Sequence, residues 1–156
     1  MKNVYKEFCE TPLGYLEVKA TEKGILAVHF IEEKRPWKNE GTPEILSKCI
    51  HQLKEYFDGK RKIFTVDLIL QGTDFQKKVW EKMLNIPYGQ TSSYGEIAAK
   101  VGKPKAARAV GAASGSNHIG IIIPCHRVIG ANGDLVGFGG GLWRKKMLLE
   151  LEQKYL

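Results

Sequence analysis

The sequence predicts an α+β protein with a small N-terminal α/β domain over residues 1–71 and a helical C-terminal domain over residues 72–156. Three observations lead to this prediction. Alternating apolar residues flank a turn in the first half, which is typical of a β-hairpin. An amphipathic helical pattern follows the hairpin, and beyond residue 72 every periodic segment is helical. The 156 residues suffice to bury a core without crosslinks.

The N-terminal domain is predicted to contain a hairpin, a helix and one more strand. The hairpin pairs residues 15–20 with residues 25–31 across the turn at Gly24. The helix covers residues 43–57, with apolar side chains three and four positions apart, and ends before Gly59. Residues 63–70 follow as the additional strand. Arg35 to Gly41 is polar, contains a proline, and is predicted to be a loop.

Capping residues mark the helices of the C-terminal domain. Thr73 or Asp74 caps the first helix, and Ser93 with Glu96 forms a capping box that opens the second helix. Gly102 is suited to end the second helix, and a third helix is predicted over residues 105–114. The chain closes with a helix that starts near residue 142.

The second and third of these helices are joined by a short turn, as in a helix-turn-helix. Residues 105–113 consist mainly of alanine, glycine and valine, with Lys105 and Arg108 near the start. Such small side chains permit close approach either to a large flat surface or to a neighbouring helix. The spacing alone favours neither interpretation.

The composition is that of a globular protein, with 43% hydrophobic and 26% charged residues. This balance excludes disordered, collagen-like and disulfide-scaffold classes. The net charge is +7, and it is uneven. Residues 1–70 hold 12 basic and 11 acidic side chains, whereas residues 71–156 hold 12 and 6. The basic second half indicates either a polyanionic partner such as nucleic acid or simply a basic protein.

No targeting or metal-binding pattern is evident. The longest apolar stretch, residues 119–124, is too short to span a bilayer, and residues 1–7 lack the apolar core of a signal peptide. We therefore expect a cytoplasmic protein whose three cysteines are free thiols. Cys9 and Cys49 are expected to be buried structural thiols. Neither His29 nor His51 has ligand spacing, so no metal and no cofactor are predicted.

The segment around Cys125 is the candidate for chemistry. A run of three isoleucines leads into Pro124, Cys125, His126 and Arg127, which predicts a cysteine at the end of a rigid, buried element. A reactive cysteine must ionise, and an adjacent histidine or arginine lowers its pKa. Direct contact between Cys125 and His126, or a bridging water, would serve equally. The competing interpretation is a buried structural thiol.

Several motifs in order resemble the O6-alkylguanine-DNA alkyltransferases, the methylated-DNA–protein-cysteine methyltransferases. Pro124-Cys125-His126-Arg127-Val128 looks like their signature, and the resemblance extends over the whole chain. It is most specific in four further blocks: Phe75-Gln76-x-x-Val79-Trp80; Ile86-Pro87-Tyr88-Gly89-Gln90-Thr91-x-x-Tyr94-Gly95-Glu96-Ile97-Ala98; Ala106-Ala107-Arg108-Ala109-Val110-Gly111; and Ser116-Asn117. The resemblance implies a ribonuclease-H-like N-terminal domain and a winged helix-turn-helix-like C-terminal domain.

The resemblance also implies a function, which is direct-reversal DNA repair by a monomer. The partner would be double-stranded DNA containing O6-alkylguanine, which is flipped out of the duplex, and Cys125 would accept the alkyl group irreversibly. His126 would hold Cys125 as thiolate through a water, Glu152 would orient His126, and Asn117 would stabilise the turn that carries the active-site strand. The expected DNA contacts are Arg108, Tyr94, Gly95, Lys103, Lys105, Ala106, Ala107 and Gly111.

Within that set, Arg108 would fill the space left by the flipped base, and Tyr94 would contact the target nucleotide and its departing guanine. The third helix would lie in the minor groove, where its small residues fit. A base inside the stack is out of reach, which is why extrusion is required. Three positions depart from the family pattern: His118 stands where many members have proline, Gly139 where serine is frequent, and Phe138 where tyrosine is. Gly139 suggests a roomier alkyl pocket.

Three other functions are compatible with parts of the sequence. A damage-binding protein would share the fold but needs no cysteine. A cysteine hydrolase would use Cys125 and His126 but would turn over, and it would not need the basic half. A helix-turn-helix regulator would need a dimerisation segment, and none is evident.

Overall fold

The computed structural model describes residues 3–156, so residues 1 and 2, on which part of the signal-peptide prediction depends, lie outside the described residues. The chain forms two compact units that divide between Leu70 and Gln71. None of the helices formed by residues 3–156 combines the length and the apolar character that a membrane span requires.

The first unit is an antiparallel sheet of three strands covered by one helix. Strands β1 (Tyr5–Thr11), β2 (Gly14–Ala20) and β3 (Ile25–Ile31) lie in the order β1-β2-β3. Helix α1 (Glu44–Phe57) packs its apolar face on this sheet. The predicted hairpin and helix are confirmed. Strand β1 is not part of the predicted hairpin, and it contains Cys9, which is buried as expected.

The predicted strand over residues 63–70 is wrong. This segment is extended but touches the sheet by a single parallel bridge, between Ile25 and Leu68. Ile25 donates to the carbonyl of Asp67 at 2.8 Å and accepts from the amide of Ile69 at 2.9 Å. The backbone of Thr65 bonds instead to side chains of α1, because its amide donates to Gln52 Oε1 at 2.9 Å and its carbonyl accepts from Lys48 Nζ at 3.0 Å. The segment therefore does not form a ladder with the sheet.

The second unit is mainly helical. Helices α2 (Asp74–Leu84), α3 (Tyr94–Lys100), α4 (Ala107–Gly115) and α5 (Leu142–Lys154) surround a short 3-10 helix, Cys125–Arg127. Strands β4 (Ser92–Ser93) and β5 (Val128–Ile129) pair in parallel. The α+β prediction with a helical second domain is confirmed. The predicted capping box at Ser93 is present, and Thr73 rather than Asp74 caps α2, where it forms a second capping box with Gln76. Gly102 has φ +78°.

Helix α2 links the core to the segment that precedes the candidate site. Its Val79, Trp80 and Met83 are buried, and the indole of Trp80 donates to the carbonyl of Ala113 at 2.8 Å. A buried indole needs such a partner, so this bond fixes the position of α4 along α2. The side-chain Nε2 of Gln76, the last residue of the capping box at Thr73, also donates to Ser116 Oγ at 3.1 Å. The end of α4 is thereby fixed just ahead of Asn117.

Candidate active site

Asn117 braces the turn that delivers Cys125. Its Nδ2 donates to the carbonyl of Ile123 at 3.0 Å, and its Oδ1 accepts from the amide of Ile119 at 2.9 Å. The amide of Ile123 also donates to the carbonyl of Ile119 at 3.0 Å. Within this turn Ile121 has φ +68°, and it is the one non-glycine residue of the described chain in the left-handed region. A β-branched residue there is strained, so the surrounding contacts must hold it.

The expectation of a strand leading to Cys125 is wrong. Residues 121–123 are buried as predicted, but they form turns, and Cys125 opens the 3-10 helix. The amide of Cys125 donates to the carbonyl of Ile123 at 2.8 Å. The rigidity inferred from the isoleucine run therefore comes from the Asn117 brace and burial of side chains rather than from a sheet.

Cys125 is 8% exposed, and its environment both opposes and supports ionisation. Burial raises the pKa of its thiol, because the thiolate loses hydration. The Asn117 side chain, the Lys145 amine and the backbone amides of Cys125 and His126 act in the opposite direction. All three cysteines are free and buried, as predicted. The thiol at position 125 thus needs a proton acceptor nearby to become a nucleophile at neutral pH.

His126 and Glu152 form a buried pair on the 3-10 helix and α5. His126 Nε2 lies 2.6 Å from Glu152 Oε2, and both side chains are fully inaccessible to solvent. Burial raises the pKa of Glu152, but hydrogen bonds and charges from His126 and Arg127 outweigh it and lower the pKa to about 2. An ionised carboxylate only accepts, so the ring proton is on Nε2 and Nδ1 is left as an acceptor.

The other ring nitrogen is open for proton transfer. His126 Nδ1 is buried and has no hydrogen-bond partner among the described residues. Burial lowers the pKa of His126, and the charges of Arg127 and Lys145 lower it further, while Glu152 raises it. The imidazole is therefore neutral at neutral pH, and Nδ1 carries a free lone pair that can accept a proton. A neutral imidazole of this tautomer can take a proton from a thiol or from a water.

Arg127 contacts Glu152 and not Cys125. Its Nε donates to Oε1 at 2.8 Å and one terminal nitrogen donates to Oε2 at 3.0 Å, which is a two-point pair. The other terminal nitrogen donates to the carbonyl of Ile86 at 2.8 Å, and the amide of Gly89 donates to Glu152 Oε1 at 3.0 Å. The sequence suggested Arg127 only as a possible neighbour of the thiol. Its partner lies 25 positions away, so spacing gave no signal.

Lys145 is a further site residue that the sequence analysis missed. Its side chain is fully buried, and its amine donates to the carbonyls of Val128, Val136 and Gly137 at 2.6, 2.7 and 3.4 Å. Burial lowers the pKa of this amine, while the charge on Cys125 raises it. Lysines are rarely buried, so a lysine in a helical pattern normally indicates a solvated face.

Tyr94 lies at the start of α3 and is half-buried. Its hydroxyl donates to the carbonyl of Val136 at 3.0 Å, and its ring lies 6.0 Å from the Lys145 amine. Burial raises the pKa of the phenol, and the charge on Cys125 raises it further. The phenol is therefore a hydrogen-bond donor at neutral pH. A Cβ added at Gly111 would lie 4.0 Å from the Tyr94 ring, so α4 packs beside it.

The remaining candidate DNA contacts lie around the start of α4. The helix begins at Ala107, two residues later than predicted, so Lys105 precedes it and Ala106 is its N-cap. The exposed members of the predicted set are Gly95, Lys103, Lys105 and Arg108, and the half-exposed ones are Ala106, Ala107 and Gly111. Lys103 stacks its amine over the ring of Phe75 at 5.3 Å.

Two of the departures from the family pattern are also placed. His118 is exposed, as expected, and lies edge-on to Trp80 with ring centroids 6.3 Å apart. Gly139 is exposed, and a Cβ built there would meet no atom within 4 Å. Among residues 3–156, no group of three or more histidine, cysteine, aspartate or glutamate side chains is arranged to hold a metal ion.

Two family models match consecutive parts of the chain. Residues 4–70 match the ribonuclease-like domain of 6-O-methylguanine DNA methyltransferase, and residues 74–154 match the DNA binding domain. Among curated proteins, the methylated-DNA–protein-cysteine methyltransferase of Mycobacterium leprae is 58% identical over 147 residues, covering 92% of this chain and 89% of that protein. The protein of that name from Methanosarcina acetivorans is 46% identical over 153 residues, covering 96% and 98%.

Solved structures show the same similarity. The crystal structure of the O6-methylguanine methyltransferase of Mycobacterium tuberculosis superposes with a TM-score of 0.88 at 45% identity, covering 99% of this chain and 95% of that one. A crystal structure of Mycobacterium tuberculosis OGT in complex with DNA has a TM-score of 0.87 at 46% identity, covering 96% and 93%.

Proposed function

This chain belongs to the 6-O-methylguanine DNA methyltransferase family, and on that premise we propose that it repairs O6-alkylguanine in double-stranded DNA by transferring the alkyl group to Cys125. The observation that carries the proposal is the buried His126–Glu152 pair, which directly follows Cys125 in the chain. Cys125 is followed in the chain by His126. The Nε2 of His126 is hydrogen-bonded to Glu152, and its Nδ1 is buried and has no hydrogen-bond partner among residues 3–156. This is the arrangement of nucleophile, base and orienting carboxylate that activates a cysteine.

The reaction begins with ionisation of the thiol. The proton of Cys125 passes to Nδ1 of His126, directly or through one water, and Glu152 stabilises the imidazolium that forms. The Lys145 charge and the Asn117 amide support the thiolate. Ionisation is costly in this buried site, so these contacts supply the stabilisation that hydration would give in water.

Alkyl transfer is a displacement at the alkyl carbon. A lone pair of the Cys125 sulfur forms the new S–C bond, the C–O6 bond breaks, and its electron pair passes to the guanine. Tyr94 donates a hydrogen bond or a proton to the departing base, for which its hydroxyl turns away from Val136. The thioether product has no ready leaving group, so each molecule repairs one lesion and stays alkylated.

DNA binding is assigned to the basic second unit. Phosphate contacts by Lys103 and Lys105 would be electrostatic and independent of sequence. The small residues of α4 allow it to approach the minor groove, and the exposed Arg108 takes the place of the extruded nucleotide. Extrusion costs least where pairing is already weakened, which favours the damaged base. The cytoplasmic location and monomeric state that the sequence predicts form part of this proposal.

The test is the intact mass of the protein after mixing with a duplex that carries one O6-methylguanine. We expect a gain of one methyl group, mapped to the peptide that contains Cys125 and absent in Cys125→Ala. Cys9→Ala, which removes a buried thiol of the first unit, is the matched control and should gain the methyl group. Lesion binding without a mass change would indicate a damage-binding protein, and turnover of an amide or ester would indicate a hydrolase.

A further inference from the structure

Arg127 forms a buried ion pair with Glu152, which also binds His126. Arg127 is 7% exposed, and its guanidinium donates to both carboxylate oxygens, while the remaining terminal nitrogen donates to the carbonyl of Ile86. All three guanidinium nitrogens are therefore engaged by Glu152 and Ile86, and no hydrogen bond joins Arg127 to Cys125 among residues 3–156. Any effect of Arg127 on the reactivity of Cys125 must therefore be transmitted through Glu152.

The buried cluster has a simple charge balance. Glu152 carries one negative charge and Arg127 one positive charge, so a neutral His126 leaves the three side chains neutral together. The other titratable groups that face them are Cys125 on the 3-10 helix, Tyr88 in the loop before β4 with Tyr155 beside it, and Lys145 on α5. Tyr88 packs its ring 5.6 Å from the Arg127 guanidinium.

We propose that Arg127 is a positioning residue that keeps the His126–Glu152 pair from binding an extra proton at neutral pH, so that Nδ1 of His126 stays an acceptor for the Cys125 proton. This inference rests on the proposed function, since it concerns how the alkyl-accepting thiol is activated. Within residues 3–156, the hydrogen-bond partners of the Arg127 side chain are Glu152 and Ile86, so Arg127 is assigned an effect through Glu152.

The physical reason is the cost of an uncompensated buried charge. Without the guanidinium, His126 and Glu152 would hold a net negative charge out of contact with water, and a proton taken up by the pair would remove it. A proton on Nδ1 would convert that atom from acceptor to donor. A proton on the carboxylate would let Nε2 accept and would move the ring proton to Nδ1. Either way, the acceptor for the thiol proton is lost.

Arg127 has a structural role as well, which the experiment must separate. Its bond to Ile86 and the bond from Gly89 to Glu152 tie the loop before β4 to α5. Arg127→Met removes both the positive charge and the hydrogen bond to the carbonyl of Ile86. Arg127→Lys keeps the charge but cannot meet two carboxylate oxygens and Ile86 in the same fixed geometry. Arg61→Met is the control, because Arg61 pairs with Glu55 at 3.0 Å within the first unit.

The test is the pH dependence of Cys125 reactivity in the full-length protein without DNA. Iodoacetamide alkylates the thiolate with release of iodide, and peptide mass spectrometry assigns the modified cysteine. For Arg127→Met we expect the acid limb of the profile to move to higher pH, with at least a tenfold loss of rate at pH 7 and recovery by pH 9. The acid limb of the Arg127→Lys profile should shift by less than half as many pH units, and the Arg61→Met profile should match that of the parent protein.

Several outcomes would overturn the proposal. A folded Arg127→Met protein with the same loss at every pH would reduce Arg127 to a structural role, and an unchanged profile would remove it from the mechanism. If Arg127→Met does not fold, the Arg127→Lys profile and the ring nitrogen NMR signals of His126 in the parent protein remain decisive. Those signals should show a proton on Nε2 and none on Nδ1 from pH 6 to 8, and an imidazolium at pH 7 would contradict the inference.

The same variants are then tested for methyl transfer from an O6-methylguanine duplex. Absence of transfer in the parent protein would defeat the proposed function while leaving the iodoacetamide shift intact. Parallel acid-limb shifts in both assays are expected if both proposals hold. Transfer by the parent protein with no iodoacetamide shift in either variant would defeat only the role of Arg127.

Discussion

The Tyr94 hydroxyl and the Lys145 amine donate to the same acceptor, the carbonyl oxygen of Val136, at 3.0 and 2.7 Å. Lys145 also donates to the carbonyl of Val128 at 2.6 Å. One buried ammonium group therefore joins β5, α5 and the loop at residue 136, and Tyr94 joins the start of α3 to the same point. The same ammonium group lowers the pKa of the Cys125 thiol through its charge, so its loss should affect both stability and reactivity.

Replacing Lys145 by methionine should destabilise the protein by about 2–4 kcal/mol. The carbonyl of Val128 loses its buried donor, while Val136 retains the Tyr94 hydroxyl. The thiol of Cys125 also loses a charge that lowers its pKa, so its ionisation should shift to higher pH. Urea unfolding and the iodoacetamide profile measure the two effects. Lys146→Met is the matched control, since that neighbouring side chain is 68% exposed, and equal effects of the two substitutions would contradict the assignment.

Asn117→Ala should open the turn before Cys125. Two hydrogen bonds that span residues 119–123 are lost, and Ile121 no longer has the brace that holds its φ of +68°. We expect a loss of about 2–3 kcal/mol in the free energy of unfolding and a reduced rate of methyl transfer. Asn132→Ala provides the control, because Asn132 is exposed and bonds only within its own turn, to Asp134. An unchanged transfer rate in Asn117→Ala would show that the turn holds without its brace.

The local signals in the sequence predicted the helices well and the approach to the site poorly. The cap at the start of α2, the capping box at Ser93 and Gly102 act through neighbours three or four positions away, so their effects could be inferred from spacing. The isoleucine run indicated burial correctly, but burial alone does not distinguish a strand from turns. The choice is made by Asn117, whose amide reaches Ile123 six positions along the chain.

The charged residues of the site show the same division between local and distant information. The Cys125–His126 sequence and the family resemblance suggested a thiol, a base and Glu152, and the structure pairs His126 with Glu152. The partners of Arg127 and Lys145 are 8 to 41 positions away, and composition rules place such side chains in solvent. These side chains are buried because the fold places carbonyl and carboxylate acceptors within hydrogen-bond distance of them. No periodic pattern contains that information.

Gly139 should make the alkyl pocket more permissive than that of family members with serine at this position. The glycine is outside the left-handed region, and an added Cβ would meet open space, so a side chain can be introduced without strain. We expect the parent protein to react with O6-benzylguanine and Gly139→Ser to lower the benzyl-to-methyl rate ratio several-fold. Gly139→Ala separates the effect of bulk from that of the hydroxyl. Strong exclusion of the benzyl group by the parent protein would contradict a roomier pocket.

The buried His126–Glu152 pair should make the fold sensitive to acid. Glu152 has its pKa lowered from an ordinary 4.5 to about 2, so its contribution is complete above pH 4.5 and is lost as the pH falls toward 2. The pKa of His126 is lowered from 6.5, so the unfolded chain takes up a proton near pH 6.5 while the folded protein does not. Both groups bind more protons in the unfolded state, and stability must therefore fall with decreasing pH.

The acid effect has a defined expected size, and Glu152→Gln and Glu55→Gln test its origin. The shift of Glu152 corresponds to on the order of 3 kcal/mol at neutral pH. Urea unfolding of the parent protein from pH 8 to pH 3 should show a fall that steepens below pH 4.5. Glu152→Gln should be less stable at pH 7, because Arg127 keeps a buried charge, yet flatter below pH 4.5. Glu55→Gln, which alters a part-exposed pair with Arg61, should retain the parent slope. Equal slopes for the parent protein and Glu152→Gln below pH 4.5 would show that this carboxylate is not the group that titrates.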